Sequence, residues 1–407
     1  MAPAAAAESQ TATTPPFDID SAQVVVSNDP SAIYEEYRLL RKQCPLVYTS
    51  QYGGYWLMTR YEDVKRAASD SATYISSVKA VVPSDPRGIR RPPLNFDAPA
   101  HTPFRTALER TLKPARLKRL VEPLQRHAEA ALAPLLVKGR GDMSAEFAAN
   151  YVARVEAEWL NLEPGVAPEL ATAAAAWLNA WRMRDADTVT ANSAIMYGIA
   201  RNLLEDRRKN PRDPELDPAS SLLQERDAEG KPLSDEHLVG CLRQSLVVGV
   251  VAPPILIGSI CKHLSEDTAL QARLRDDESL IPAAMEEFLR LYTPYRGFAR
   301  TASKEVQLHG QTIRPGEPIT LHYTSANRDP EVFENPDEFI LHRPNIAAHV
   351  GFGRGRHRCA GMPLARLVIE TAMRVILRKT KGFEVDGPFE YSRMPELGII
   401  SCPMRFT

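Results

Sequence analysis

The sequence predicts a mainly α-helical protein with small antiparallel β-sheets, an α+β fold. Three observations carry this expectation. Apolar residues recur at spacings near 3.6 along much of the chain. Period-two alternation is confined to short pieces. The length of 407 residues, at 44% hydrophobic and 25% charged, lies in the ordinary globular range and leaves a large core to bury.

In chain order, the helical pattern covers 31–43, 61–68, 117–137, 170–181, 191–208, 234–264, 280–291 and 363–378. The stretch 234–264 opens on Ser234, a good cap, followed by Asp235 and Glu236 where the helix dipole favours negative charge. Strand-like pieces are 54–59, 306–308 before a His309-Gly310 turn, and 318–323. Prolines crowd the connections 82–93 and 327–344, where they restrict the chain without supporting ladder hydrogen bonds. No fixed-period repeat or Gly/Ser linker divides the sequence, so residues 1–20 are expected as a disordered tail and 21–407 as one domain.

Composition excludes several function classes. A net charge of −1 and a pI near 6.8 give no whole-molecule case for binding nucleic acid or an anionic membrane. Five scattered cysteines without a C-x-x-C pair argue against a disulfide framework or structural zinc, and for a reducing cytoplasm. The start, 1–16, lacks the basic and apolar regions of a signal peptide. The apolar run 245–261 approaches spanning length but carries two adjacent prolines and continues into polar helix, which favours a buried core helix.

The most informative stretch is Gly351-Phe352-Gly353-Arg354-Gly355-Arg356-His357-Arg358-Cys359-Ala360-Gly361, followed at once by helix. Glycines let the backbone approach a flat group, and a cysteine before a helix N-terminus meets N–H groups and a dipole that favour the thiolate. Phe352, Gly355, His357, Cys359 and Gly361 match F-x-x-G-x-H-x-C-x-G, and here the sequence resembles the cytochrome P-450 family.

That resemblance implies a triangular helical prism with haem b (iron protoporphyrin IX) between a long central helix and the cysteine loop. Cys359 would bind the iron, with Phe352, Gly353 and Gly361 packed about the cofactor and His357 reaching a propionate. His101 and Arg105, four apart on one helical face, and Arg300 resemble the family's other propionate clamps. Glu287 and Arg290 resemble its E-x-x-R pair, with Arg343 as the third, structural member.

The central helix departs from the pattern. Where most members carry an acid followed by threonine, this chain has Val251 and Ala252, neither of which relays a proton. Pro253 and Pro254 follow, which frees the carbonyls of Gly249 and Val250 and is expected to bend the helix. The stretch Gly249, Val250, Val251, Ala252, Pro253 is the expected catalytic segment. Its carbonyls would hold a water or substrate, or core packing would fill the kink. Val248, Phe298 and Leu397 are expected to line a pocket for a small or medium apolar substrate, aromatic ones included. Arg87, Arg90 and Arg91 would bind a substrate carboxylate or simply solvate their loop, and Trp177 and Trp181 are expected in the core.

The expected function is a soluble, monomeric, cytoplasmic monooxygenase that hydroxylates or O-dealkylates its substrate with dioxygen and two electrons. Peroxide-dependent or non-oxygenating haem-thiolate chemistry, or a sensor without turnover, are the alternatives opened by Val251 and Ala252. No flavin or nicotinamide fingerprint is present. Electrons would come from a ferredoxin or flavodoxin-type donor with its reductase, docking at Arg354, Arg356, Arg358 and Arg366 with Lys113, Arg116 and Lys118.

Overall fold

A computed structural model describes residues 31–83 and 88–407; the expected 1–20 tail and Arg87 lie outside the described residues. Its longer helices are Ser31–Gln43 (α1), Tyr61–Ser69 (α2), His101–Thr111 (α3), Val121–Lys138 (α4), Ala149–Trp159 (α5), Val166–Met183 (α6), Ala186–Lys209 (α7), Asp235–Glu266 (α8), Thr268–Asp276 (α9), Ile281–Leu291 (α10) and Met362–Lys379 (α11). The periodicity of the sequence found most of these. It missed α3, α5 and α9, and it joined 117–137, which the structure divides into Pro114–Leu117, a 3-10 turn Lys118–Leu120 and α4. The division keeps one apolar face, since Leu117, Leu120 and Leu124 are all buried, so the pattern reads straight through it.

The 32 residues of α8 form the axis of the largest core. The Ser234 hydroxyl caps it by accepting from the His237 N–H at 3.4 Å. Its most apolar stretch is 78% buried inside the protein, which places it as a core helix. The helix continues through Pro253 and Pro254. Each proline lacks the N–H that would reach back one turn, so the carbonyls of Gly249 and Val250 lose those helical partners.

The principal sheet comprises Leu46–Thr49 (β1), Tyr55–Met58 (β2), Tyr74–Ile75 (β3), Gly297–Ala302 (β4) and Pro318–His322 (β5), ordered β1-β2-β5-β4-β3. It is not purely antiparallel as expected. β2 runs parallel to β5, with Trp56 opposite Ile319 and Met58 opposite Leu321. A parallel pair needs a long crossover, and here most of the helical body separates the two strands in sequence. β4 lies antiparallel beside β5, with Arg300 opposite Ile319, and this fixes where Phe298 and Arg300 emerge.

Candidate active site

The cysteine loop is held by its own backbone. The Cys359 N–H donates to Phe352 O and the Gly353 N–H to Val350 O, both at 2.8 Å, while Val350 N–H donates to Asn327 Oδ1 at 2.7 Å. Gly355 adopts φ +72°, and a Cβ there would lie 2.0 Å from the backbone oxygen of Ala68, so a glycine is needed for the loop to seat on α2. The Cys359 side chain opens onto an internal cavity of about 350 Å³. Burial raises the Cys359 thiol, and the N–H groups of Gly361 and Met362 at the start of α11, with the charges of Arg105 and Arg358, oppose this without overcoming it. A metal cation bound at the sulfur would draw that proton off, with the helix-terminal N–H groups helping to hold the thiolate.

Across the cavity stands α8. Val248, Gly249, Val251, Ala252 and Pro253 line the space. Val250 does not, being buried in the core on another face of the helix. Phe298 lines the cavity from β4, with its ring 5.0 Å from that of Tyr295. Leu397, expected in the pocket, is absent from its wall: it is 2% exposed and packs among Tyr55, Leu57, Val82 and Met394, its N–H held by Pro294 O at 2.8 Å. Trp177 is buried in the core, as expected, with Trp181 packed against it; the two rings stack 5.7 Å apart at an interplanar angle of 9°, and both also line the cavity. Arg91 also reaches the wall, whereas Arg90 donates to Ser77 O and Asn95 O at 2.6 Å.

At one end of the space the basic residues gather. The rings of His101 and His357 lie 4.7 Å apart, and the Nε2 atoms of both are buried without a hydrogen-bond partner, Asp97 Oδ1 standing 3.8 Å from His357 Nε2. Arg300 is 4% exposed and donates to Ala299 O at 2.8 Å, and none of the ion pairs among the described residues engages it. Burial, with the charges of Arg105 and Arg356, holds His101 down at about 4. Burial, with Arg300 and His101, holds His357 down at about 3. Arg105 pairs with Glu109 at 2.7 Å and donates to Arg358 O.

Beneath the loop, Glu287, Arg290 and Arg343 form a buried network. Arg290 meets the Glu287 carboxylate with two N–H groups at 2.7 and 2.8 Å, and Arg343 Nε donates to the same carboxylate at 3.0 Å. Further guanidinium N–H groups go to the carbonyls of Asn327, Pro336 and Glu338. Charges this deep persist only when their hydrogen bonds are met, as here.

On the opposite side of the loop an open groove is lined by Arg354, Arg356, Arg358 and Arg366. Arg366 is neutralised by Glu286 and Arg116 by Glu215, so the basic patch is narrower than expected.

One cavity residue was not foreseen. Glu156 on α5 is 5% exposed, lines the cavity, and has its Oε2 buried without a partner. A signal did exist, a single carboxylate set among Val152, Val155 and Trp159.

A sequence profile described as cytochrome P450 matches residues 176–389. The cytochrome P450 CYP199A2 of Rhodopseudomonas palustris is 31% identical over 92% of this chain and 91% of its own length. The chain belongs to the cytochrome P450 family. A steroid C26-monooxygenase of Mycobacterium tuberculosis is 29% identical over 96% of this P450 and 89% of its own length. The crystal structure of CYP108D1 from Novosphingobium aromaticivorans matches with a TM-score of 0.82 at 26% identity, covering 92% of this chain and 94% of that one. This P450 is thus a monooxygenase and a haem protein, an oxidoreductase that incorporates one oxygen atom.

The residues present fit haem. A sulfur faces an apolar helix across the cavity, and at its edge two buried imidazole nitrogens without hydrogen-bond partners and Arg300, which makes no ion pair among the described residues, offer donors to an anion. Leaving such groups without partners costs roughly 1–3 kcal/mol each, which two carboxylates would relieve.

Proposed function

We propose that this P450 hydroxylates or O-dealkylates a small or medium apolar substrate, aromatic by preference, with dioxygen and two electrons from a separate donor. The observation that carries the reading is the facing of Cys359 and the apolar surface of Val248, Val251, Ala252 and Phe298 across one cavity of about 350 Å³. Haem would occupy part of this space beside Cys359, and the walls left toward α8 are largely apolar with few polar anchors, which suits a small apolar molecule. The parallel indoles of Trp177 and Trp181 add a flat wall that suits an aromatic ring.

Haem b would be held by Cys359 on one face, with Phe352, Gly353 and Gly361 beside the sulfur. His101, Arg105, Arg300 and His357 would meet its propionates. Bound haem supplies the reduction of dioxygen and the oxidation of a C–H bond. The protein orients the substrate with its apolar walls and keeps the loop rigid through Glu287, Arg290 and Arg343. Arg354, Arg356 and Arg358 form the docking face for an acidic ferredoxin or flavodoxin-type donor, charge complementarity acting mainly on encounter rate. The protein is taken as soluble, cytoplasmic and monomeric.

The test is spectroscopic and then catalytic. The reduced, haem-loaded protein should show the carbon monoxide band of thiolate ligation, and Cys359→Ser should abolish it. Turnover should require the electron donor and its reductase. Product formed only with peroxide would replace this reading with peroxide-dependent chemistry, and tight ligand binding without turnover in either regime would replace it with a sensor.

A further inference from the structure

Proton supply is the part of this site that the central helix does not explain. Val251 and Ala252 carry no exchangeable side-chain proton, yet both face the cavity. The same stretch of wall contains a carboxyl that comes from elsewhere. A Cβ placed on Gly249 would lie 1.5 Å from Glu156 Oε1 and 2.3 Å from its Cδ. The carboxyl of Glu156 therefore rests directly against the backbone of α8, in space that only a glycine leaves open. Pro253 has removed the N–H that would otherwise close on the Gly249 carbonyl. A free carboxyl oxygen, a free carbonyl and the unpartnered Oε1 of Gln244 thus line one side of an otherwise apolar cavity.

We infer that Glu156 is the proton donor of this monooxygenase, a carboxylic acid delivered from α5 to the distal wall in place of the acid and alcohol absent at Val251 and Ala252. The inference rests on the reading of the cavity as the oxygenation site. Glu156 has no structural duty that would account for it, because no described hydrogen bond or ion pair uses its carboxyl. Burial alone raises it to about 8. No charge on the packed helices α4, α6 or α8 contributes: from α8, Arg243 stacks on Trp177 at 4.8 Å and the Cys241 thiol is itself pushed up by burial, and α6 presents the uncharged Trp177. At neutral pH the group therefore keeps its proton, and its affinity lies near working pH, where general acids are most effective.

The chemistry balances. Two electrons from the donor protein and two from the substrate C–H bond reduce one dioxygen, with uptake of two protons, to one product oxygen and one water. For each proton, a Glu156 O–H bond breaks as a cavity water takes that proton and passes one of its own to the oxygen being reduced, so that the water is left unchanged and the proton ends in the product water. The carboxylate then recovers its proton from bulk solvent.

The experiment compares haem-loaded wild type, Glu156→Gln and Glu156→Asp. Infrared spectra in H2O and D2O should contain a protonated carboxyl stretch that titrates near pH 8 in the wild type and is missing from Glu156→Gln. Product formed per electron pair should fall on the order of 10²-fold in Glu156→Gln, with the carbon monoxide band and substrate-induced Soret shift unchanged, and should recover in part in Glu156→Asp. Wild-type coupling in Glu156→Gln, or a carboxyl already ionised at neutral pH, would overturn the proposal. Failure of the wild type itself to give the thiolate carbon monoxide band would bring down the reading of the cavity, and the proposal with it.

Discussion

Replacing Glu156 by Gln should stabilise the protein at alkaline pH while changing little near pH 5. Burial raises the Glu156 carboxyl from 4.5 to about 8. In the unfolded chain the group ionises near its ordinary value, so between these limits the unfolded state has lost a proton that the folded state keeps. Stability is therefore greatest below about pH 4.5 and declines as pH rises through about 8, at about 1.4 kcal/mol per pH unit and about 5 kcal/mol in total. Gln has no proton to lose, so its curve lacks the decline, and the constant cost of seating an extra N–H donor displaces that curve without tilting it. Guanidinium unfolding of both haem-loaded proteins at about pH 5, 6, 7 and 8 measures the difference. It should widen by about 3.5 kcal/mol across that range. Parallel curves would mean that Glu156 is ionised in the fold, and the burial argument would be refuted.

Arg290→Met leaves Glu287 buried with Arg343 as its remaining cationic partner. The expected loss is roughly 3–5 kcal/mol, read as a lower denaturation midpoint, and an unchanged midpoint would count against a structural role. Arg356→Glu should slow reduction by an acidic donor protein at low salt and converge with wild type at high salt, since it alters long-range attraction. A deficit that persists at high salt would place the docking face elsewhere.

What the sequence disclosed depended on how local the information was. The cysteine loop, Glu287 with Arg290, and His101 with Arg105 each lie within one short segment, so the resemblance to the P450 pattern could be read from the local sequence. Helix α3 was not found by apolar period, because its sequence is largely polar and carries Pro103 in the first turn, where proline is tolerated but periodicity is blurred; it was expected only through the four-residue spacing of His101 and Arg105. The parallel pairing of β2 with β5 joins segments far apart in the chain, and no strand pattern encodes its partner. Leu397 was placed by analogy near the cavity, but its turn faces a separate cluster with Tyr55 and Met394. The indoles of Trp177 and Trp181 share one helix face, and that this face meets the cavity as well as the core is decided by the space between α6 and α8. Glu156 was the least legible, since its significance arises only where α5 crosses Gly249.

The separation of Glu156 from the cavity-facing residues of α8 has a consequence for how this enzyme can change. Where one helical turn both shapes the substrate and manages protons, every adjustment of fit risks the chemistry. Here Val248, Val251 and Ala252 face the substrate space, and the acid approaches from a neighbouring helix. A library that varies those three positions while fixing Glu156 and Gly249 should yield new specificities at an unusually low rate of inactive variants.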